Sequence, residues 1–509
     1  MEGSVSSDVS GSDWKIAEAT LMHVLARTAH RYPDRVYVRC DAGEITYGAF
    51  YGVVAALGNR LRAQVTGLDV GVFLPNSIAF LTAYYALLHA RARPALVNIN
   101  TPQAGFQKLV SDLSPTLIIT NQEVEGFDVF KLTDADVLAM AESAAPGPAL
   151  DEVEVTPEDV CAVMFTGGTT GLPKRLNHSH RAIADAMDRI EWGWPTRDGD
   201  VWLPVAPFTH VYGYLMGVSN PLLRGTTLVI PAQFQPALVV DMLSEHRVTI
   251  FGGGPPAIYQ ALMAAPNFKD ADLSHLRVCP GGGAPFPVAL HEQWQAATGL
   301  TLDEGDGMTE IAPISMNNDS VGHRFGSAGK PCPDNRIEIV DLATGENRLP
   351  AGETGEIRVS GPHMMEGYDG NAEETAVTLR HGFVYTGDIG MLDEEGFLII
   401  TDRKKDVILH KGYNVFPREV EEVLLTVPGT QQACVVGLAD ERAGEAVVAF
   451  VMAGENVTAA QLVAHAAEHL AAYKVPAHIA VADALPLTAN GKLDRIALRE
   501  QARQQFGAD

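Results

Sequence analysis

Val160-Cys161-Ala162-Val163-Met164-Phe165 runs without a break into Thr166-Gly167-Gly168-Thr169-Thr170-Gly171-Leu172-Pro173-Lys174. The first half is apolar throughout, as a buried strand requires. The second half is a loop with the chemistry a triphosphate needs. Its glycines let backbone N–H groups come close to phosphate oxygens. Thr166, Thr169 and Thr170 offer hydroxyl donors, and Lys174 offers a mobile positive charge. A loop at the end of a buried strand is where open α/β sheets place their ligands. The spacing GxxxxGK[ST] is absent, so this is not a Walker A loop. Taken alone, the stretch also reads as a plain glycine-rich turn.

Working outward, residues 14–31 and 47–62 have the apolar spacing of amphipathic helices. Residues 70–74, 94–97 and 116–120 read as short buried strands. Pro75-Asn76 is a turn and residues 79–90 a helix, which together make a βαβ pattern. The alternation continues to about Gly283 and predicts an α/β fold with parallel sheet. After Asn335 the pattern changes to short strands at 336–340, 356–359 and 397–400, separated by Gly and Pro turns, as in a β-rich subdomain. Beyond Asp402 a smaller α+β unit is expected, with helices at 419–425 and 459–470 and strands at 433–436 and 446–451. The charged run Asp402-Arg403-Lys404-Lys405-Asp406 is the candidate hinge. The expected organisation is a large N-terminal domain over 1–402 and a small mobile domain over 403–509. The opening dozen residues, rich in Ser, Gly and Asp, are expected to be disordered.

The composition excludes several classes. A net charge of −26 is a poor match to a nucleic acid, so any anionic ligand must be met by local positive charge. The five cysteines are scattered with no CxxC pair, which suggests neither a zinc site nor a disulfide framework and points to a reducing compartment. The N-terminus has no basic and apolar leader. No apolar run approaches the ~18 residues of a membrane span. A cytoplasmic location is expected.

Further motifs lie in order along the chain. Pro207-Phe208-Thr209-His210-Val211-Tyr212-Gly213 comes first, then Gly281-Gly282-Gly283-Ala284-Pro285, Gly307-Met308-Thr309-Glu310 and Tyr385-Thr386-Gly387-Asp388. The charged run 402–406 follows, and Pro486-Leu487-Thr488-Ala489-Asn490-Gly491-Lys492 closes the series. Together with the loop at 166–174 they resemble the adenylate-forming superfamily of acyl- and aryl-CoA synthetases, peptide-synthetase adenylation domains and firefly luciferase. The match spans about residues 160 to 495.

The resemblance implies an enzyme that adenylates a carboxylic acid with ATP and Mg²⁺, releases pyrophosphate, and passes the acyl group to coenzyme A. Two anions meet in the first step, so a cation between them is the main requirement. By resemblance that cation is Lys492, with Thr309 at the α-phosphate and Glu310 holding Mg²⁺. The nucleotide site would comprise Thr166, Gly167, Gly168, Thr169, Thr170, Gly171, Lys174, Gly283, Ala284, Pro285, Asp306, Gly307 and Met308. Asp388 would bind the ribose, assisted by Arg403. The acyl site would include His210, Tyr212, Gly281 and Gly282. His210 reads either as the gate of that site or as a neutral histidine packed in a pocket. In the second step the small domain would turn about Lys405 and bring Lys411, Gly412 and Tyr413 to coenzyme A.

Three positions depart from the family pattern. Gly167 stands where Ser is usual, Arg175 where Gly is usual, and Asp306 where an aromatic residue stacks on adenine. Loss of such a ring would weaken ATP binding by ~1–3 kcal/mol. Relatives that activate amino acids carry an Asp after the pocket Phe to hold the α-ammonium group. Here Phe208 is followed by Thr209-His210. An aryl acid (benzoate-, anthranilate- or cinnamate-like) or a short to medium fatty acid is therefore expected. The alternatives are transfer to an acyl carrier protein acting in trans, or a degenerate homologue that binds nucleotide without turnover.

Overall fold

The computed structural model describes residues 16, 19–101, 103–166, 174–440, 442–454, 456–487 and 493–507. Gly167, Gly168, Thr169, Thr170, Gly171 and Lys492, with its neighbours Asn490 and Gly491, lie outside the described residues. The chain divides into two compact units. One comprises Met1–Arg336 and Ser360–Val384, the other Ile337–Val359 and Tyr385–Asp509.

Two largely parallel sheets dominate the first unit, as the alternating pattern predicts. In one, the strands Val129–Lys131, Leu117–Thr120, Asp69–Phe73, Arg93–Leu96, Val160–Thr166 and Lys174–Ser179 lie in that order. In the other the order is Ile250–Gly252, Val201–Pro204, Thr227–Val229, Val36–Cys40 and Gly43–Thr46. Strands covered on both faces lose their polar alternation, and every residue of Leu117–Thr120 is buried. The crossover helix Ile78–His89 is apolar around most of its circumference and buried along its whole length. Thr20, Thr46, Ser77 and Ser179 start their helices by accepting a backbone N–H with their side-chain oxygens.

The strands on either side of residues 167–173 pair with each other. Val160–Thr166 pairs antiparallel with Lys174–Ser179, in the register Phe165↔Arg175 and Thr166↔Lys174. In the returning strand Leu176 and His178 are buried and their neighbours half-buried, the period-2 pattern of a strand with one covered face. The helix His180–Gly193 starts only after it.

A smaller sheet in the same unit sets Pro280–Gly282 parallel to Asp303–Met308, which turns back into Ile311–Met316. Arg336–Val340, Gly355–Ser360, Phe383–Leu392 and Leu398–Arg403 belong to one sheet, most of it in the second unit. A second sheet there is built on the long pair Thr430–Asp440 and Gly444–Ala453, with the helices Pro417–Leu425, Ala459–His469 and Arg495–Phe506. The expected boundary at 402/403 falls inside this unit.

Candidate active site

Thr309 and Glu310 form the turn between the paired strands Asp303–Met308 and Ile311–Met316, closed by the pair Met308↔Ile311. The Glu310 carboxylate accepts the Tyr368 hydroxyl proton at 2.5 Å, and its carbonyl accepts Met365 N–H at 2.7 Å. Lys174 Nζ sits 4.8 Å from the centre of the Tyr368 ring and 2.5 Å from Glu374 Oε2. One aromatic residue therefore joins the cation of the phosphate loop to the carboxylate of the G-x-T-E motif, although these are far apart in the chain. The buried His178 hydrogen-bonds the Thr309 backbone, and burial pushes its pKa down to about 4. It is a neutral support for the turn at neutral pH. Sequence reading missed Tyr368, Glu374 and His178. Glu374 had no local signal at all, because its partner lies in another element.

Arg175 makes ion pairs with Asp69 at 2.6 Å and Asp369 at 2.9 Å. Its charge is neutralised inside the protein.

On the acyl side, Asn76 anchors the motif at 207–213. Its side chain accepts Phe208 N–H at 2.8 Å and donates to the Ala206 carbonyl at 2.9 Å. His210 precedes the short helix Val211–Tyr214, and its Nδ1 accepts Tyr212 N–H at 3.3 Å. The Tyr212 hydroxyl donates to the Pro280 carbonyl at 2.9 Å and so ties this motif to the glycine strand. Gly281 and Gly282 have a packing reason of their own. A Cβ on Gly281 would fall 2.4 Å from the Phe286 ring, and one on Gly282 would fall 2.7 Å from the Gly305 carbonyl oxygen. Gly283 has φ +76°, the left-handed region glycine favours. Ala284 and Pro285 follow it, and the next backbone N–H, at Phe286, donates to Glu304 at 3.2 Å. Asp306 pairs in register with Ser315, between Gly305 and Gly307. It lies near Cys332, whose thiol is pushed up to about 12 by burial, with Arg189 opposing and the Asp306 charge adding to the shift.

In the second unit, Asp388 and Arg403 are brought together. They pair across adjacent strands, with Nε and Oδ1 2.8 Å apart. Thr386 fixes the turn before them by accepting Asp388 N–H at 3.0 Å and donating to the Ile357 carbonyl at 2.9 Å. Asp402 is buried and accepts the backbone N–H groups of Arg403 and Arg418. Lys404 pairs with Glu356 at 2.7 Å. Lys405 is exposed, and its pKa is lowered, first by partial desolvation of its ammonium group and then by the Arg403 charge. Lys411 and Gly412, with φ +53° and +81°, are the two residues that close the hairpin pair His410↔Tyr413. Such turns need both central residues left-handed. Tyr413 is exposed and stacks on Tyr473 with ring centres 4.6 Å apart.

Comparison with known proteins gives the family of the chain. Residues 25–369 match the family described as AMP-binding enzyme, and residues 419–492 match the AMP-binding enzyme C-terminal domain. The chain is 32% identical to a long-chain-fatty-acid–CoA ligase of Bacillus subtilis, over 95% of this chain and 94% of that one. It is 33% identical to a feruloyl-CoA synthase of an Amycolatopsis species, over 94% and 98% of the two chains. Among solved structures, ATP-bound MatB from Rhodopseudomonas palustris superposes with a TM-score of 0.87 at 26% identity, covering 96% of this chain and 100% of that one.

Proposed function

Because the chain belongs to the family of AMP-binding enzymes, we propose a division of labour among its residues in the activation of a carboxylic acid. The protein is an ATP-dependent, AMP-forming acid–thiol ligase that makes an acyl- or aryl-CoA. In the first step a substrate carboxylate oxygen bonds to the α-phosphorus of ATP. The bond from that phosphorus to the bridging oxygen breaks, and pyrophosphate leaves. In the second step the coenzyme A sulfur bonds to the acyl carbon, AMP leaves, and the thiol proton passes to solvent.

The observation that carries the assignment of roles is the contact chain Lys174–Tyr368–Glu310. It sets a cation for the polyphosphate and a hard carboxylate donor within reach of one tyrosine. The carboxylate chemistry of Glu310 fits Mg²⁺, which when bound would offset the charge of the phosphates. Lys174, with Thr166 and the loop 167–171, would grip the β- and γ-phosphates. Thr309 would meet the α-phosphate, and Gly283 to Pro285 with Asp306 to Met308 would border the adenine. Asp388 and Arg403 would take the ribose hydroxyls, and their mutual ion pair holds both side chains ready. Lys492 would bridge the carboxylate and the α-phosphate. Residues 403–509 would turn about Lys405 between the two steps, presenting Lys411, Gly412 and Tyr413 to coenzyme A.

We place the acid among aryl acids and short to medium fatty acids. His210 and Tyr212 border the site, and no acidic residue follows Phe208 to hold an α-ammonium group. Among the described residues no helix is long and apolar enough to cross a membrane. A cytoplasmic setting fits the demand for ATP and the five free cysteines.

ATP–pyrophosphate exchange across a panel of aryl, fatty and α-amino acids tests the substrate class. Exchange driven only by α-amino acids would defeat the pocket assignment. Product assays offering free coenzyme A and an acyl carrier protein side by side test the acceptor, and coenzyme A is expected to be used. Lys492→Ala is expected to lower the exchange rate by at least ~100-fold, the size of losing one preorganised charge at a reacting phosphate. Unchanged exchange in that variant would remove Lys492 from the chemistry.

A further inference from the structure

We propose that the second unit carries a transition-metal site, formed by His465, Glu468 and His469 in the last turn of the helix Ala459–His469, that takes a zinc-class dication. One ligand atom from each of the three lies within 4.8 Å of the others. Positions i, i+3 and i+4 face the same side of a helix, so the backbone itself sets the spacing.

The hydrogen bonds around the two imidazoles prepare them as ligands. The Thr426 hydroxyl donates its own proton to the Val423 carbonyl at 2.7 Å, so toward His465 it acts as the acceptor. His465 Nε2 therefore carries the proton of that 2.7 Å bond, and Nδ1 keeps its lone pair. In His469 the order is reversed. Nδ1 donates to the His465 carbonyl at 2.8 Å, which leaves the lone pair on Nε2. Each ring thus has one nitrogen held by an outer partner, the arrangement that orients metal-binding histidines. The rings lie close, with centres 4.2 Å apart and planes tilted by 32°.

Three further features favour a cation. The site is at the helix C-terminus, where the macrodipole is negative. Glu468 supplies a carboxylate. The chain as a whole carries −26. Two imidazoles and one carboxylate select Zn²⁺, Co²⁺, Ni²⁺ or Cu²⁺ over Mg²⁺, so the site is chemically separate from the one at Glu310. Three protein ligands leave a fourth tetrahedral position for water or an outside ligand. Thr426 is the residue that ends the helix Pro417–Leu425. Metal binding would therefore tie the ends of two helices together and stabilise this unit by mass action.

Calorimetric titration of Zn²⁺ into the full chain, without nucleotide, tests the proposal, alongside the visible absorption of bound Co²⁺. Uptake of one Zn²⁺ per chain is expected, with a tetrahedral Co²⁺ spectrum. Both should be lost in the double variant His465→Ala/His469→Ala. Thr426→Val, which keeps all three ligands, should weaken Zn²⁺ binding ~10-fold, the usual cost of removing an outer partner. Pyrophosphate exchange by each variant reports that the chain is folded. Equal Zn²⁺ titration by the wild type and the double variant, or no uptake by the wild type, overturns the site.

Discussion

Lys174 and Arg175 are neighbours with different tasks, and only their partners tell them apart. Arg175 is clamped by Asp69 and Asp369, so its charge is met by ion pairs within the protein. Lys174 is held by Glu374 at 2.5 Å, with 25% and 40% of the two side chains exposed. In the role proposed for Lys174, a phosphate would compete with that carboxylate for the same ammonium group. Glu374→Gln keeps the shape and removes the competitor. A partly exposed pair is worth up to ~1 kcal/mol, so the KM for ATP in pyrophosphate exchange should fall about fivefold. An unchanged or higher KM, measured at saturating acid, would show that Glu374 does not compete. The sequence offered Lys174 through its motif, whereas Glu374 lies on the far helix Ala372–Thr378 and could be found only by folding.

At the scale of elements, the glycines at 281–283 illustrate how a motif can be located correctly and explained incompletely. By resemblance they line the acyl and nucleotide sites. In the fold, two of them are required by strand packing. Gly282 pairs with Gly305 across the parallel strands, and a Cβ there would meet a backbone oxygen. Gly281 would meet the buried Phe286 ring, which is packed against Tyr259 and His291. Gly282→Ala and Gly281→Ala should therefore each destabilise the protein by ~1–3 kcal/mol, as overpacking does. Denaturant midpoints of the two variants check this, and either variant as stable as the wild type would refute it. The hairpin across the phosphate loop has a similar lesson. A buried strand before a Gly/Thr loop was legible. The antiparallel return of Lys174–Ser179 was not, because alternation over so short a stretch resembles the start of a helix.

Over the whole molecule, buried titratable groups act on stability in opposite directions. Burial drives His178 to about 4 and His180 to about 3, from an ordinary 6.5. Below pH 6.5 the unfolded chain takes up these protons first, so this contribution to stability is lost as pH falls. Glu191 runs the other way. Burial raises its pKa from 4.5 to about 7, against hydrogen bonds from Thr196. Between pH 4.5 and 7 the folded state keeps a proton that the unfolded state has released, so stability falls as pH rises through that window. Glu191→Gln should thus be more stable than the wild type above pH 7, by on the order of 3 kcal/mol. The gap should close toward pH 4.5. Thermal unfolding of both proteins across that range tests the sign, and a gap independent of pH would refute it.

The sequence alone determined the α/β class, the order of the motifs and the type of chemistry. Apolar periodicity, loop composition and motif spacing are local properties that the chain carries before it folds. The tertiary structure decided which charges face one another. Lys174 finds Glu374 and Tyr368, Arg175 finds Asp69 and Asp369, and the Thr309-Glu310 turn finds His178 and Tyr368. These partners come from separate elements, and a Coulomb or hydrogen-bond contact depends on distance in space rather than along the chain.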